Sequence, residues 1–170
     1  MKIRLSWKLT AVVLVLAILS VFVYGLASYV AKLEEEDAAI YGVVHEMAVL
    51  TRDMYATTLL MSINPNDELK KDLISMINDF ETGLALIRDG GSLPERFKYL
   101  NVSHIHSFYS EAKEECDNLI KVWSEMKDDM LSIAQDGTLN YTSLANRYAA
   151  LVNVIERFRS MVAEHSLEEG

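Results

Sequence analysis

Residues 9–31 read LTAVVLVLAILSVFVYGLASYVA, 23 consecutive positions without a charge. At about 1.5 Å of rise per residue, a helix of this length spans roughly 35 Å, enough for a hydrocarbon core of about 30 Å. A cleaved signal peptide also begins with positive charge, but its apolar stretch is about 7–15 residues and ends at a small-x-small site. Ala27-Ser28-Tyr29 and Tyr29-Val30-Ala31 match that site poorly. Trp7 before the run and Tyr24 and Tyr29 near its end suit the two membrane interfaces. The run is therefore read as a transmembrane signal anchor that stays uncleaved.

Charge sets its direction. Residues 1–8 carry Lys2, Arg4 and Lys8, whereas Lys32 beyond the run is followed by Glu34, Glu35, Glu36 and Asp37. The positive-inside rule leaves the N-terminus in the cytoplasm and exports residues 32–167 to the periplasmic or extracellular side. No second apolar run follows, so the expected topology is a single pass of the cytoplasmic membrane. Of the 170 residues, 51% are hydrophobic and 24% charged, which excludes a disordered or low-complexity chain. Seven Gly and two Pro are too few for an all-β fold with its many turns. One cysteine excludes an intrachain disulfide framework and any all-cysteine metal site. The net charge of −9 argues against nucleic acid as a partner.

Beyond the anchor the apolar residues repeat with the period of a helix. Leu33, Ile40, Val44, Met47, Thr51, Met54, Thr58 and Met61 hold one face of a first exported helix over about 32–62, with no Gly or Pro break separating it from the anchor. Asn64-Pro65 predicts an N-cap and first turn, opening a second helix over 65–88 that Gly90-Gly91 closes. Its inward face is Leu69, Leu73, Ile77, Phe80, Leu84 and Ile87. Ser92 to Val102 reads as a linker. A third helix is expected over 103–134, with Ile105, Phe108, Ala112, Cys116, Leu119, Trp123, Met126, Met130 and Ile133 inward. Asp136-Gly137 marks a turn, and Asn140 or Thr142 caps a fourth helix over 142–167 that faces inward through Leu144, Tyr148, Leu151, Ile155, Phe158 and Val162. Helices of similar length joined by short connections predict an antiparallel four-helix bundle, so the fold class is all-α.

Catalytic and cofactor chemistry find little to stand on. There is no Glu-x-x-His for a di-iron bundle and no C-x-x-C-H for covalent haem; a His165–Met47 haem pair is only a coincidence of composition. The eight Met read as adaptable core filling and Cys116 as a small buried residue. His104 and His106 read as a solvated pair at a helix start, and Glu34 to Asp37 as a solvated face. No nucleophile elbow or phosphate-binding glycine loop occurs. The expectation is no enzyme, no metal and no cofactor.

Arg52 lies about 100–120° from the core stripe of the first exported helix, on a flank with Tyr41, His45, Val49, Tyr55, Ala56 and Leu59. It is either a surface arginine paired with Glu46 or Asp53, or part of a dimer seam in which the planar guanidinium holds an anion. Arg52 and His45 are the candidate ligand-binding residues, and His45, Val49, Arg52 and Ala56 the candidate seam.

The stretch Phe80-Glu81-Thr82-Gly83-Leu84-Ala85-Leu86-Ile87-Arg88-Asp89-Gly90-Gly91 resembles the end of the second helix in PilJ/NarX-type sensor domains, the input domains of type IV pilus chemotaxis transducers and nitrate/nitrite sensor kinases. Asn146 to Met161, with Leu151, Val152, Ile155, Glu156 and Arg157, is similar to that family's last helix. The resemblance extends over about residues 1–165. It implies a four-helix sensor domain outside the membrane, a homodimer, and a small anionic ligand met by an arginine of the first exported helix. In Ala48-Val49-Leu50-Thr51-Arg52-Asp53-Met54 only Arg52 and Met54 match the family's Gly-Arg-Gln-Arg-Met-type stretch. A sensory input module whose output another protein supplies is the leading expectation. The alternative is a structural or adaptor membrane protein presenting a helical bundle to another envelope protein.

Overall fold

The computed structural model describes residues 2–136 and 140–168; the side chains of residues 1–9, 11, 136–139 and 165–170 lie outside the description. The expected turn at Gly137 and the side chains of Lys2, Arg4, Trp7, Lys8 and His165 therefore fall outside it. The described chain is mostly helical, and its contacts divide it into two units, Met1–Glu35 and Glu36–Gly170. Helix α1 runs without a break over Lys2–Ile63. In the first unit every described side chain from residue 12 to 30 is exposed.

The second unit holds the core. From Glu36 onward α1 buries Ile40, Val44, Met47, Thr51, Met54, Thr58 and Met61, the expected stripe, together with Ala39, Val43 and Leu50. The two buried threonines satisfy their hydroxyls on the carbonyls one turn back, Thr51 on Met47 at 2.8 Å and Thr58 on Met54 at 2.7 Å. Helix α2 spans Asp67–Asp89. Its cap is Asn66 and not Asn64: the Asn66 side chain accepts from the backbone N–H groups of Glu68 at 2.7 Å and Leu69 at 3.2 Å. Asp67 and Glu68 in its first turn favour that start, because acidic groups complement the positive end of the helix dipole. Leu73, Ile77, Phe80 and Ile87 are buried as expected, but Leu84 is only half-buried and Gly83 sits in the core instead.

The third helix departs most from expectation. Helix α3 begins at Lys113, not at residue 103, and runs to Asp136. Gly90 ends α2 with φ 69°, and the chain then forms a two-residue strand β1, Gly91–Ser92, antiparallel to β2, His104–Ile105. A Cβ on Gly90 would stand 2.8 Å from the Ile105 carbonyl oxygen and 2.8 Å from the Ser107 nitrogen, so only glycine permits this crossing. Between the strands a 3-10 helix, Glu95–Leu100, buries Phe97 and lays Leu100 over Gly42 of α1. Ile105 and Phe108 are buried as foreseen, through a strand and a turn. The Phe108 N–H donates to the Ile87 carbonyl at 2.9 Å, tying this connector to the end of α2.

Helix α4, Tyr141–Glu168, starts behind Asn140, whose side chain accepts from Ser143 N–H at 3.1 Å. It packs along α3 with opposite polarity: Asp129 of α3 meets Ser143 and Arg147, while Glu114, Glu115 and Asn118 line one groove with Val154 and Arg157. Stacked rings join the elements, Phe80 on Trp123 at 4.0 Å and Tyr55 on Tyr148 at 4.2 Å, with Phe108 edge-on to Phe158 at 5.7 Å. Trp123 and Phe158 are buried as expected, and the apolar side chains of α1 to α4 and the connector form one core cluster.

Candidate functional site

The residues singled out on α1 lie outside its buried stripe. His45, Arg52 and Ala56 are exposed and Val49 is half-buried. The Arg52 side chain is 68% exposed, and its guanidinium lies 3.1 Å from Asp53 Oδ1, the surface pairing anticipated from the sequence. An ion pair this exposed is screened by water and contributes at most a few tenths of a kcal/mol. The four positions share one accessible side of α1, as a seam requires, but within one chain no enclosing wall or second cation gathers around Arg52 among the described residues.

The structure builds its polar constellations elsewhere, around the connector. Arg96 of the 3-10 helix extends one guanidinium nitrogen to Glu46 of α1 at 2.7 Å and the other to Asp79 of α2 at 2.9 Å. The planar fork suits this bridging role, holding two helices and the connector in one register. Beside it, burial pushes the Tyr99 hydroxyl above its usual range, helped by the Glu46 charge.

The second constellation corrects two expectations. Glu34 and Glu35 are exposed, but Glu36 and Asp37 are 8% and 4% exposed, so the acidic run is not a solvated face throughout. His104 is exposed, whereas His106 turns inward between the two carboxylates. Its Nδ1 lies 3.2 Å from Glu36 Oε2 and its Nε2 3.6 Å from Asp37 Oδ1. Two adjacent buried carboxylates are costly without donors, and the imidazole, from a segment 70 residues away, comes within hydrogen-bond distance of Glu36. The core stripe of α1 carried a signal for this. Stepping back three and four residues from Ile40 reaches Asp37 and Glu36, so the helical period already directs both acids inward.

The remaining titration effects are structural. Burial pushes the Cys116 thiol up to about 12, with Asp117 and Glu115 adding to the shift, which disfavours the thiolate. A hydrogen bond to Asp117 raises the Tyr109 hydroxyl. Arg88 and Asp89, bonded at 2.6 Å, move apart, the base upward and the acid downward. Among the described residues no group of three or more His, Cys, Asp or Glu has a geometry to hold a metal ion.

Comparison with protein-family models, with curated proteins and with solved structures finds no match for this chain.

Proposed function

We propose that the chain is a single-pass membrane protein of the cytoplasmic membrane whose residues 32–167 form an antiparallel four-helix bundle on the outer side. It acts as the sensory input module of a chemoreceptor- or sensor-kinase-like system and works through a partner signalling protein. The observation that carries the membrane part is the surface of α1 over residues 12–30, where Val, Leu, Ile and Phe side chains all stand exposed. Leaving such a side chain in water forfeits about 1.5–3 kcal/mol each, and lipid removes that cost. Four helices of the second unit sharing one core support the bundle.

On this reading two copies pack through His45, Val49, Arg52 and Ala56, whose outward position leaves them available. Anchoring two copies in one membrane plane raises their effective concentration. Facing Arg52 side chains repel one another when empty, and a bridging oxyanion relieves that repulsion and tightens the pair. Nothing in the reading calls for an enzyme activity or a cofactor. The test is cross-linking of the full chain in membranes through Val49→Cys and Ala56→Cys, with and without small oxyanions. The seam predicts cross-links that anions increase and that Arg52→Ala makes insensitive to anions. Absence of cross-links at both positions would overturn the seam.

The adaptor reading draws on a different observation. Leu60, Ile63 and Tyr141 are exposed apolar side chains where α1 ends and α4 begins, brought together by the 3.2 Å hydrogen bond between Ser62 and Tyr141. A partner that co-purifies through these residues, with no effect of any ligand, favours it.

A further inference from the structure

We propose that Asn101 and Asn140 are acceptor sites for N-linked glycans, attached once residues 32–167 stand on the outer side of the membrane. Modification at these positions requires the export read from the anchor, and the experiment below reads the two separately.

Asn101-Val102-Ser103 and Asn140-Tyr141-Thr142 each set an asparagine two residues before a hydroxyl, with no proline between. This is the tripeptide that an oligosaccharyl transferase reads on exported chains. A motif this short arises by chance, so its placement decides. The chain has eight asparagines, and in the other six the second residue on is neither serine nor threonine. Asn78, Asn118, Asn146 and Asn153 lie inside helices, whereas both complete motifs begin in connections. Asn101, Ser103, Asn140 and Thr142 are all exposed, as a bulky polar adduct requires.

Local geometry leaves each amide nitrogen available. Asn101 closes the 3-10 helix in left-handed backbone, φ 59°, with its N–H on the Lys98 carbonyl at 3.1 Å. Among the described residues no hydrogen bond engages its side chain. Asn140 caps α4: its Oδ1 accepts from the Ser143 N–H at 3.1 Å, and its carbonyl from the Leu144 N–H at 3.0 Å. Capping employs only the oxygen of the amide, so Nδ2 can carry a sugar while the cap stays made. The left-handed turn and the cap explain an asparagine at both positions. They do not explain the hydroxyls. Among the described residues neither the Ser103 nor the Thr142 side chain makes a hydrogen bond, so neither hydroxyl has a structural task.

The transfer needs no redox partner. Its donor is an oligosaccharide joined through phosphate or pyrophosphate to a membrane lipid. Nδ2 bonds to the anomeric carbon, and the bond from that carbon to the phosphate oxygen breaks. The lipid phosphate leaves with the electron pair, and Nδ2 gives up one proton to the transferase.

The two sites stand apart on the second unit. Asn101 follows Leu100, which covers Gly42, and Asn140 precedes Tyr141, whose hydroxyl lies 3.2 Å from that of Ser62. Gly42 and Ser62 are 20 residues apart on α1, about 30 Å along the helix. A glycan on Asn140 would stand beside the exposed side chains of Leu60, Ile63 and Tyr141. It would keep that end in water, which weighs against a protein partner docking there.

The experiment is intact-mass and fragmentation mass spectrometry of the full chain, purified from the membranes of the cells that make it. One saccharide adduct is expected on Asn101 and another on Asn140. Asn101→Gln and Ser103→Ala are each expected to remove the first adduct and keep the second. Asn140→Gln and Thr142→Ala are expected to do the reverse, and Asn146→Gln to change neither. Ser103→Ala and Thr142→Ala alter exposed side chains, so they carry the test if losing the turn or the cap disturbs folding. An Asn101 or Asn140 found bare in the wild type overturns that site. Labelling of Ser124→Cys with an impermeant reagent in the same intact cells reports export. Labelled chains with both asparagines bare overturn the glycans and leave the export standing, whereas labelling only after lysis overturns both.

Discussion

The two stretches of α1 on either side of Glu35 share one helical backbone and present opposite surfaces. From residue 12 to 30 the side chains are uncharged, mostly apolar, and exposed at every described position, with no preferred face. From residue 36 to 61 burial returns every three or four residues, and Ile40, Val44, Met47, Thr51, Met54, Thr58 and Met61 disappear into a core while His45 and Arg52 remain outside. A helix that packs against protein needs one apolar stripe, and a helix that is apolar all round needs an apolar surrounding. The difference teaches that one continuous helix carries two kinds of surface, one apolar and exposed on every side and one that joins a protein core through a single stripe.

Removing the first stretch is the severest way to test the contrast. A chain lacking residues 1–31 is expected to move from the membrane pellet to the soluble fraction with its helical circular dichroism retained. A truncated chain that still sediments with membranes, or unfolds, breaks the division into anchor and self-sufficient core.

Core substitutions come next in size. Phe80→Ala removes a fully buried ring stacked at 4.0 Å on Trp123 and is expected to cost about 3–5 kcal/mol in denaturant unfolding. Leu84→Ala, at a half-buried position, should cost roughly 1–2 kcal/mol. Leu19→Ala, in the exposed stretch, should leave domain unfolding within about 0.5 kcal/mol of wild type. Equal effects at Phe80 and Leu19 would erase the comparison.

Gly90→Ala probes the connector that packs against the second stretch. Its positive φ and the 2.8 Å approach to the Ile105 carbonyl predict a loss of about 1–3 kcal/mol, read by the same unfolding titration. The smallest effect belongs to Arg52→Ala. Its side chain is in water, so unfolding should shift by less than about 0.5 kcal/mol, leaving any change in cross-linking attributable to the seam alone.

Much of this architecture was legible in the residues. The long apolar stretch of α1 follows from the charge-free run, and the core faces of α1, α2 and α4 from their period. The stretch from Ser103 to Ala112 misleads because Ile105, Phe108 and Ala112 are spaced like a helix face. The Gly91–Ile105 pairing and the Phe108–Ile87 hydrogen bond that hold the segment otherwise are tertiary, invisible to local periodicity. At the start of α2, Asn64 and Asn66 are both fit caps, and the acids at Asp67 and Glu68 were the cue that selects the second. Glu36 and Asp37 look like a solvated run when read by composition and like core positions when read by phase. Their partner could not be foreseen, because His106 reaches them only once the connector has folded. Arg52 is outward by phase and outward in the structure, and a single chain carries no more about it than that.

The most direct measurement of the central claim, an anchored and exported domain, is cysteine labelling in intact cells. Ser124→Cys places a thiol at an exposed position of α3. Cys116 is buried, and burial pushes its thiol up to about 12, so it is expected to react far more slowly than an exposed thiol. The account predicts that a membrane-impermeant maleimide labels Ser124→Cys in intact cells and leaves the wild type unlabelled. Labelling of Ser124→Cys only after lysis would contradict it.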